Sequence, residues 1–191
     1  RDDVESRGLG DVYKRQVGGS WEVSSVVTPL IKEPEGDLLR ALTQLEPGEE
    51  WLLKPEPSED NPCLWSPGIR LGVKPGSWFH QTECFGPVLG IIRAENLEEA
   101  IDIQNDSEFG LTGGLQSLDE REIALWKSKV QVGNAYINRV ITGAIVRRQP
   151  FGGWNHSSMG PGSKAGGPNY LTMLGSWEEK ALPQKPVSYT H

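Results

Sequence analysis

Residues 88–138 read VLGIIRAENLEEAIDIQNDSEFGLTGGLQSLDEREIALWKSKVQVGNAYIN, and this stretch decides the fold class. Three short apolar segments, 88–93, 111–116 and 133–138, have the character of strands, and apolar residues recur at helical spacing between them. Strand, helix, strand, helix, strand at this spacing predicts a βαβαβ unit with parallel strands and right-handed connections. The predicted fold class is therefore α/β.

Both predicted helices begin at a residue that can cap their free N–H groups. Asn96 is followed three residues later by Glu99, and Asp119 by Glu122, which is the capping-box arrangement. The apolar stripes that follow consist of Leu97, Ala100 and Ile101 in the first helix and Ile123, Trp126 and Val130 in the second.

The residues upstream of this unit predict smaller elements. Residues 37–45 place four leucines on one face of a helix, which the Pro-Gly pair at 47–48 ends. Short strands are predicted at 51–54 and 69–73, with a proline-rich loop at 54–68 between them.

The segment that follows the third strand is the predicted place for a binding site, because ligands of parallel sheets bind at the carboxyl ends of the strands. It reads NRVITGAIVRRQPFGGW, residues 138–154, and is rich in glycine. Residues 160–167 lack the pattern G-x-x-x-x-G-K-[ST], so no phosphate loop is predicted there. A last strand is predicted at 170–177.

The overall composition limits the partners of the chain. A net charge of −7 argues against nucleic acid, and no apolar stretch approaches the roughly 18 residues of a membrane span. The two cysteines, Cys63 and Cys84, do not make a disulfide framework and fit the reducing cytoplasm, which is the predicted location. The three histidines show no ligand spacing, so no metal site is predicted.

Two motifs in this frame carry a family resemblance. ECFGPV at 83–88 leads into the first strand, and QPFGG at 149–153 follows the third. Together they resemble the catalytic domain of aldehyde dehydrogenases over residues 24–179. TGAIV at 142–146 and KAGGPNYL at 164–171 are similar to the L-glutamate γ-semialdehyde (1-pyrroline-5-carboxylate) dehydrogenase branch, most of all to the carboxy-terminal part of bifunctional proline utilization A proteins.

The resemblance implies a fold and a set of binding residues. The chain would be the carboxy-terminal part of the catalytic domain, with 170–177 as an oligomerisation-type strand. Glu83 would hold the nicotinamide ribose, and Phe85 would pack beside the nicotinamide ring. The substrate-binding residues would be Gly143 and Ala144, whose N–H groups would meet the substrate carboxylate, Thr142 with its hydroxyl, and Phe151 beside the methylenes.

No catalytic residue is expected in the chain, because the resemblance implies that the nucleophilic cysteine and the general-base glutamate lie upstream of the ECFGPV motif, in a part of the family's catalytic domain that this chain lacks. Cys84 follows Glu83, whose charge would raise the pKa of a thiol, and Cys63 has no histidine near it in sequence. Arg147 and Arg148 alternate along an extended segment, so neither is assigned to the site.

Both ends of the chain differ from the rest. Residues 1–16 and the final VSYTH show no helix or strand periodicity and resemble translated sequencing-adapter read-through. We therefore expect a non-native tail at 1–16, part of the catalytic domain at 17–182, and a partly non-native tail at 183–191. A native disordered tail is the alternative.

The expected function belongs to a parent enzyme that oxidises L-glutamate γ-semialdehyde to L-glutamate with NAD in proline catabolism, as a homo-oligomer. FAD is expected only if a proline dehydrogenase domain lies upstream, and the chain alone is expected to be inactive. Two alternatives stay open, namely an aldehyde dehydrogenase with another substrate and a non-catalytic scaffold or oligomerisation module of the same fold. A native start near Val17 would favour the scaffold, and an upstream G-Q-x-C would favour the enzyme.

Overall fold

A computed structural model of the 191-residue chain describes residues 16–142, 151–159, 165 and 170–178. The chain forms two compact units, Arg1–Glu108 and Phe109–His191. In the described part, no helix is both long and apolar enough to cross a membrane. Of the predicted tails only Gln16 is described, and it is the first residue of a strand.

The first unit contains five strands and three helices among its described residues. They are β1 (Gln16–Val17), β2 (Ser25–Val27), α1 (Gly36–Thr43), β3 (Glu50–Leu53), β4 (Gly68–Leu71), α2 (Trp78–Gln81), β5 (Val88–Gly90) and α3 (Leu97–Asn105). β1 and β2 form a parallel pair, and β3, β4 and β5 form a second sheet in that order. β4 is antiparallel to β3 and parallel to β5, with Arg70 opposite Gly90.

The predicted elements of this unit are confirmed with shifted or shorter bounds, and the core explains where they lie. α1 turns Ala41 and Leu42 inward, and both are fully buried. Ile69 of β4 and Ile101 of α3 are also buried. Burial of these apolar side chains stabilises elements that are too short to persist alone.

The second unit contains β6 (Thr112–Leu115), α4 (Glu120–Lys129), β7 (Asn134–Ile137) and a 3₁₀ helix (Tyr170–Leu174). β6 and β7 are parallel neighbours, from Thr112 opposite Asn134 to Leu115 opposite Ile137. Trp126 of α4 and Tyr136 of β7 are buried and form the apolar centre of this unit.

The α/β class is confirmed, but the three predicted parallel strands do not share one sheet. β5 belongs with β3 and β4, whereas β6 and β7 form a sheet of their own. The local pattern of apolar residues identifies a strand, but it does not say which strand edge will satisfy its backbone N–H and C=O groups.

The predicted strand at 170–177 is wrong, because the structure has a 3₁₀ helix at Tyr170–Leu174. A strand needs a neighbour for its backbone groups, whereas a 3₁₀ turn satisfies them within the segment. Trp177 closes the turn by donating its indole N–H to the carbonyl of Thr172 at 2.6 Å.

The predicted helix starts are confirmed. In each capping box, however, the glutamate side chain bonds a residue before the cap instead of the N–H of the capping residue. Asn96 accepts a hydrogen bond from the Glu99 N–H at 2.9 Å, and Asp119 accepts one from the Arg121 N–H at 2.8 Å. Glu99 accepts from the N–H of Glu95, one residue before the cap, so it still stabilises the start of α3.

Candidate functional site

The ECFGPV segment follows α2 and exposes the side chains of Glu83 and Phe85, whereas those of Cys84, Pro87 and Val88 are partly buried. Glu83 is exposed, and the ring of Phe85 is 82% exposed. Phe85 also has a φ of 51°, a left-handed conformation that bulky residues rarely adopt. A strained and exposed phenylalanine is not core packing, and such strain is typical of functional sites.

Helix α1 contacts this segment through Leu38. A Cβ atom on Gly86 would collide with Cδ1 of Leu38, so the backbone and the leucine side chain are in close contact. The Gly86 carbonyl accepts a hydrogen bond from the Val88 N–H at 2.9 Å, and the Pro87 carbonyl accepts one from Gly68 at 2.8 Å. A side chain at the glycine of the motif would therefore have to displace the end of the Leu38 side chain.

Cys84 lies half-buried within the motif and is a poor candidate for a nucleophile. Burial raises the pKa of the Cys84 thiol most, the Asp37 carboxylate raises it further, Arg70 opposes, and Glu83 again raises it. The thiol donates to the Thr82 carbonyl at 3.5 Å. Because the thiolate is the reactive form, a raised pKa makes this cysteine unreactive near neutral pH.

Cys63 has a structural position in a loop. Its N–H donates to Oδ1 of Asn61 at 2.9 Å, and its carbonyl accepts from the N–H of Leu30 at 2.8 Å. No arrangement of three or more His, Cys, Asp or Glu side chains able to hold a metal ion occurs in the described ranges.

The sequence did not predict a buried ion pair between Arg70 of β4 and Glu49, the residue before β3. Nη2 of Arg70 lies 3.1 Å from Oε2 of Glu49, with side chains 0% and 1% exposed. The guanidinium lies 4.2 Å from the ring centre of Phe79 and 5.2 Å from that of Trp51. Burial lowers the pKa of Arg70, and Glu49 and Glu46 partly offset this. The sequence feature that could have indicated this ion pair is Arg70, a charged residue inside the predicted strand at 69–73.

In the second unit, Asn138 sets the direction in which the chain leaves β7. Its φ is 54°, and its amide group accepts from the Ser117 N–H at 2.9 Å and donates to the Ser117 carbonyl at 2.8 Å. Thr142 follows four residues later and is exposed. Gly143 and Ala144, like Arg147 and Arg148, lie outside the described residues.

The Phe-Gly-Gly segment is held at the opposite end of β7, which the sequence did not predict. Nδ2 of Asn134 donates to the carbonyls of Leu111 at 3.0 Å and Gly152 at 2.9 Å. A Cβ atom on Gly133 would collide with the backbone of Gly152. Phe151 exchanges backbone hydrogen bonds with Ala165 at 2.8 and 3.0 Å. The one sequence feature that could have indicated the role of the buried Asn134 is that it is a polar residue at the start of a predicted strand.

The structure thus divides the predicted site residues between its units. Glu83 and Phe85 belong to the first unit, and Thr142 and Phe151 belong to the second. Within the second unit, Thr142 follows the carboxyl end of β7, whereas Gly152 next to Phe151 contacts the amino end.

The α/β architecture and the two motifs define a class, the catalytic domains of aldehyde dehydrogenases. The model of the aldehyde dehydrogenase family matches residues 2–176, and the chain belongs to this family.

Three known proteins show more closely what this chain is similar to. The 1-pyrroline-5-carboxylate dehydrogenase of Bacillus subtilis (strain 168) is 34% identical over 173 residues, covering 90% of this chain and 33% of that protein. The structure of Proline Utilization A (PutA) from Corynebacterium freiburgense matches with a TM-score of 0.89 and 57% identity, covering 97% of this chain and 19% of that one. A 1-pyrroline-5-carboxylate dehydrogenase from Thermus with bound NAD matches with a TM-score of 0.76 and 31% identity, covering 89% of this chain and 33% of that one. The chain spans about a third of the length of the curated relatives it matches.

Proposed function

We propose that this chain is the part of a 1-pyrroline-5-carboxylate dehydrogenase that holds the nicotinamide ribose and the substrate carboxylate. The parent enzyme oxidises L-glutamate γ-semialdehyde to L-glutamate with NAD. The observation that carries this proposal is the ECFGPV segment, in which Glu83 and the strained Phe85 are both presented to solvent. The names of the similar proteins support the choice of substrate.

The residues of the first unit fit a ribose and a nicotinamide. An ionised carboxylate such as that of Glu83 accepts hydrogen bonds from two neighbouring hydroxyls at once. The exposed ring of Phe85, two residues further on, offers a flat apolar surface, and Gly86, directly after Phe85, is in close contact with Leu38. NAD, when bound, supplies the hydride acceptor of the reaction.

The second unit supplies the substrate contacts in this proposal. The N–H groups of Gly143 and Ala144 bind the carboxylate of the substrate, because successive N–H groups in a tight loop form an anion-binding nest. Thr142 adds a hydroxyl, and Phe151 lines the path of the methylenes. The segment that carries these residues runs from 138 to 154. Asn138 holds its start through the hydrogen bond with Ser117, and Asn134 holds Gly152 near its end.

The thiolate and the general base come from another part of the parent enzyme. Cys84 has a raised pKa and Cys63 has a structural position in its loop, so neither attacks the aldehyde. We expect the chain alone to be inactive, the parent to be a homo-oligomer, and FAD to be needed only where a proline dehydrogenase domain is part of the parent.

A chimera tests this function directly. Residues 16–178 would replace the matching segment of the Corynebacterium freiburgense protein, and NAD reduction would be followed with L-glutamate γ-semialdehyde. We expect turnover by the chimera and none by the isolated chain. Glu83→Gln should raise KM for NAD, whereas Glu98→Gln, an exposed glutamate in the first turn of α3, should not. Gly143→Pro should remove most of the activity.

Three outcomes would contradict the proposal. Equal turnover of an aldehyde without a carboxylate would favour a different substrate. A folded chimera without NAD-dependent oxidation would favour a scaffold. Turnover by the isolated chain would show that one of its two cysteines is a nucleophile after all.

A further inference from the structure

The short helix α2 determines where the ECFGPV segment begins. α2 ends at Gln81, and only Thr82 separates it from Glu83. A helix of four residues is not stable on its own in water, because too few backbone hydrogen bonds offset the cost of ordering it. The position of α2, and with it that of Glu83, therefore depends on what its side chains contact.

His80 makes hydrogen bonds from both sides of its ring. Nδ1 lies 2.9 Å from the backbone nitrogen of Gly76 and 3.2 Å from Nε2 of Gln81, and both of these are donors. Nε2 of His80 lies 3.0 Å from the carbonyl oxygen of Ile103, which can only accept. These partners require a neutral imidazole with its proton on Nε2 and a lone pair on Nδ1.

The neighbours of His80 tie α2 to other elements. Ile103 lies in the last turn of α3, and its carbonyl accepts a second hydrogen bond, from the Asp106 N–H at 3.3 Å, so the His80 N–H shares the capping of that end. Nε2 of Gln81 donates to the carbonyl of Asp106 at 2.5 Å, just beyond α3. The ring of Phe79 lies so close to Gly90 of β5 that a Cβ atom there would overlap it.

We propose that His80 is a positioning residue for Glu83 and Phe85. In its Nε2–H tautomer it joins the turn at Gly76 to the end of α3, and it thereby fixes the short helix from which the ECFGPV segment leaves. Its importance for catalysis rests on the proposed role of Glu83 and Phe85 in holding NAD.

Two substitutions separate the two hydrogen bonds of His80. In His80→Asn, Oδ1 stands at the same distance along the side chain as Nδ1 and accepts from Gly76, but the side chain is too short for Ile103. In His80→Gln, the terminal amide reaches Ile103 as a donor but offers no acceptor to Gly76. His80→Ala removes both bonds.

The first experiment uses the 191-residue chain and nuclear magnetic resonance of its imidazole nitrogens at about pH 8. We expect His80 to carry its proton on Nε2. Amide exchange at Gly76 should be about tenfold faster in the Ala and Gln variants and close to the parent rate in the Asn variant. Exchange at Val88, whose N–H bonds to Gly86 just beyond Phe85, should rise in His80→Ala. His156→Ala, in the second unit, should leave the exchange rates of Gly76 and Val88 unchanged.

Two results would overturn the inference, a proton on Nδ1 or unchanged exchange at Val88 in His80→Ala. Should the Ala variant not fold, the Asn and Gln variants decide, because equal exchange at Gly76 in both would overturn the assignment of Nδ1 as acceptor.

The chimera gives the catalytic test. We expect His80→Ala to raise KM for NAD several-fold while kcat changes much less, and the Asn and Gln variants to recover part of the loss. An unchanged KM in an active chimera would overturn the positioning role. An inactive chimera, with the expected exchange pattern in the isolated chain, would contradict the proposed function and leave the ordering of the segment by His80 supported.

Discussion

The buried pair of Arg70 and Glu49 predicts a large stability effect in the first unit. Their charged atoms are 3.1 Å apart, and both side chains are withdrawn from water. Nη2 of Arg70 also donates to the carbonyl of Gln44, whereas Nε and Nη1 have no hydrogen-bond partner among the described residues. Glu49 is thus the partner that compensates the buried positive charge.

Removing either partner leaves the other as an uncompensated buried charge. We expect Glu49→Gln and Arg70→Met each to lower the free energy of unfolding by about 3–5 kcal/mol. A domain is typically stable by about 5–15 kcal/mol, so this loss would remove a large fraction of the free energy of unfolding. The double variant Glu49→Leu with Arg70→Met should recover most of the loss, because apolar side chains of similar volume need no compensation.

The assay is urea unfolding of the 191-residue chain, with hydrogen exchange of residues 36–105 as the readout for the first unit. Glu35→Gln is the matched control, because its partner Lys32 and Glu35 itself are both 72% exposed and such pairs contribute little. If both single variants changed the free energy of unfolding by less than about 1 kcal/mol, the pair would be solvated and the reasoning refuted.

Three further predictions concern the backbone and the helix starts. Because Phe85 has a left-handed φ, Phe85→Gly should be more stable than Phe85→Ala by about 1 kcal/mol, and equal urea midpoints would show that the backbone is unstrained there. Asn96→Ala should cost about 1 kcal/mol in thermal unfolding by removing the cap of α3, whereas Asn96→Asp, which keeps an acceptor, should cost less. Hydrogen bonds from Arg121 lower the pKa of Asp119, so this carboxylate contributes stability above its unfolded-state pKa and loses it as the pH falls through the lower folded-state pKa. The difference in urea midpoint between the parent and Asp119→Asn should therefore shrink over that acidic range, and a constant difference would contradict the assignment.

The sequence could predict the elements of this fold because each has a local signal. The leucines of α1 and the capping residues Asn96 and Asp119 mark helices by spacing and side-chain chemistry, and both caps form as expected. The partner of β5 could not be predicted, because pairing with β4 depends on residues some twenty positions away and leaves no periodic trace. For the same reason the strand predicted at 69–73 does not reveal that the charge of Arg70 pairs with Glu49 on a different segment.

For the candidate site, the motifs located residues but not the contacts that hold them. The letters ECFGPV do not reveal that Phe85 has a left-handed φ or that Leu38 lies against Gly86, yet these two features describe the backbone that carries the exposed ring. A glycine that accommodates a neighbouring side chain and a phenylalanine held in strain both cost stability, and the surrounding packing must over-determine them. His80 supplies part of that packing from the preceding helix through backbone atoms of Gly76 and Ile103. The precision of the proposed ribose contact therefore depends on residues outside the motif, so substitutions in α2 should alter cofactor affinity even where the motif is intact.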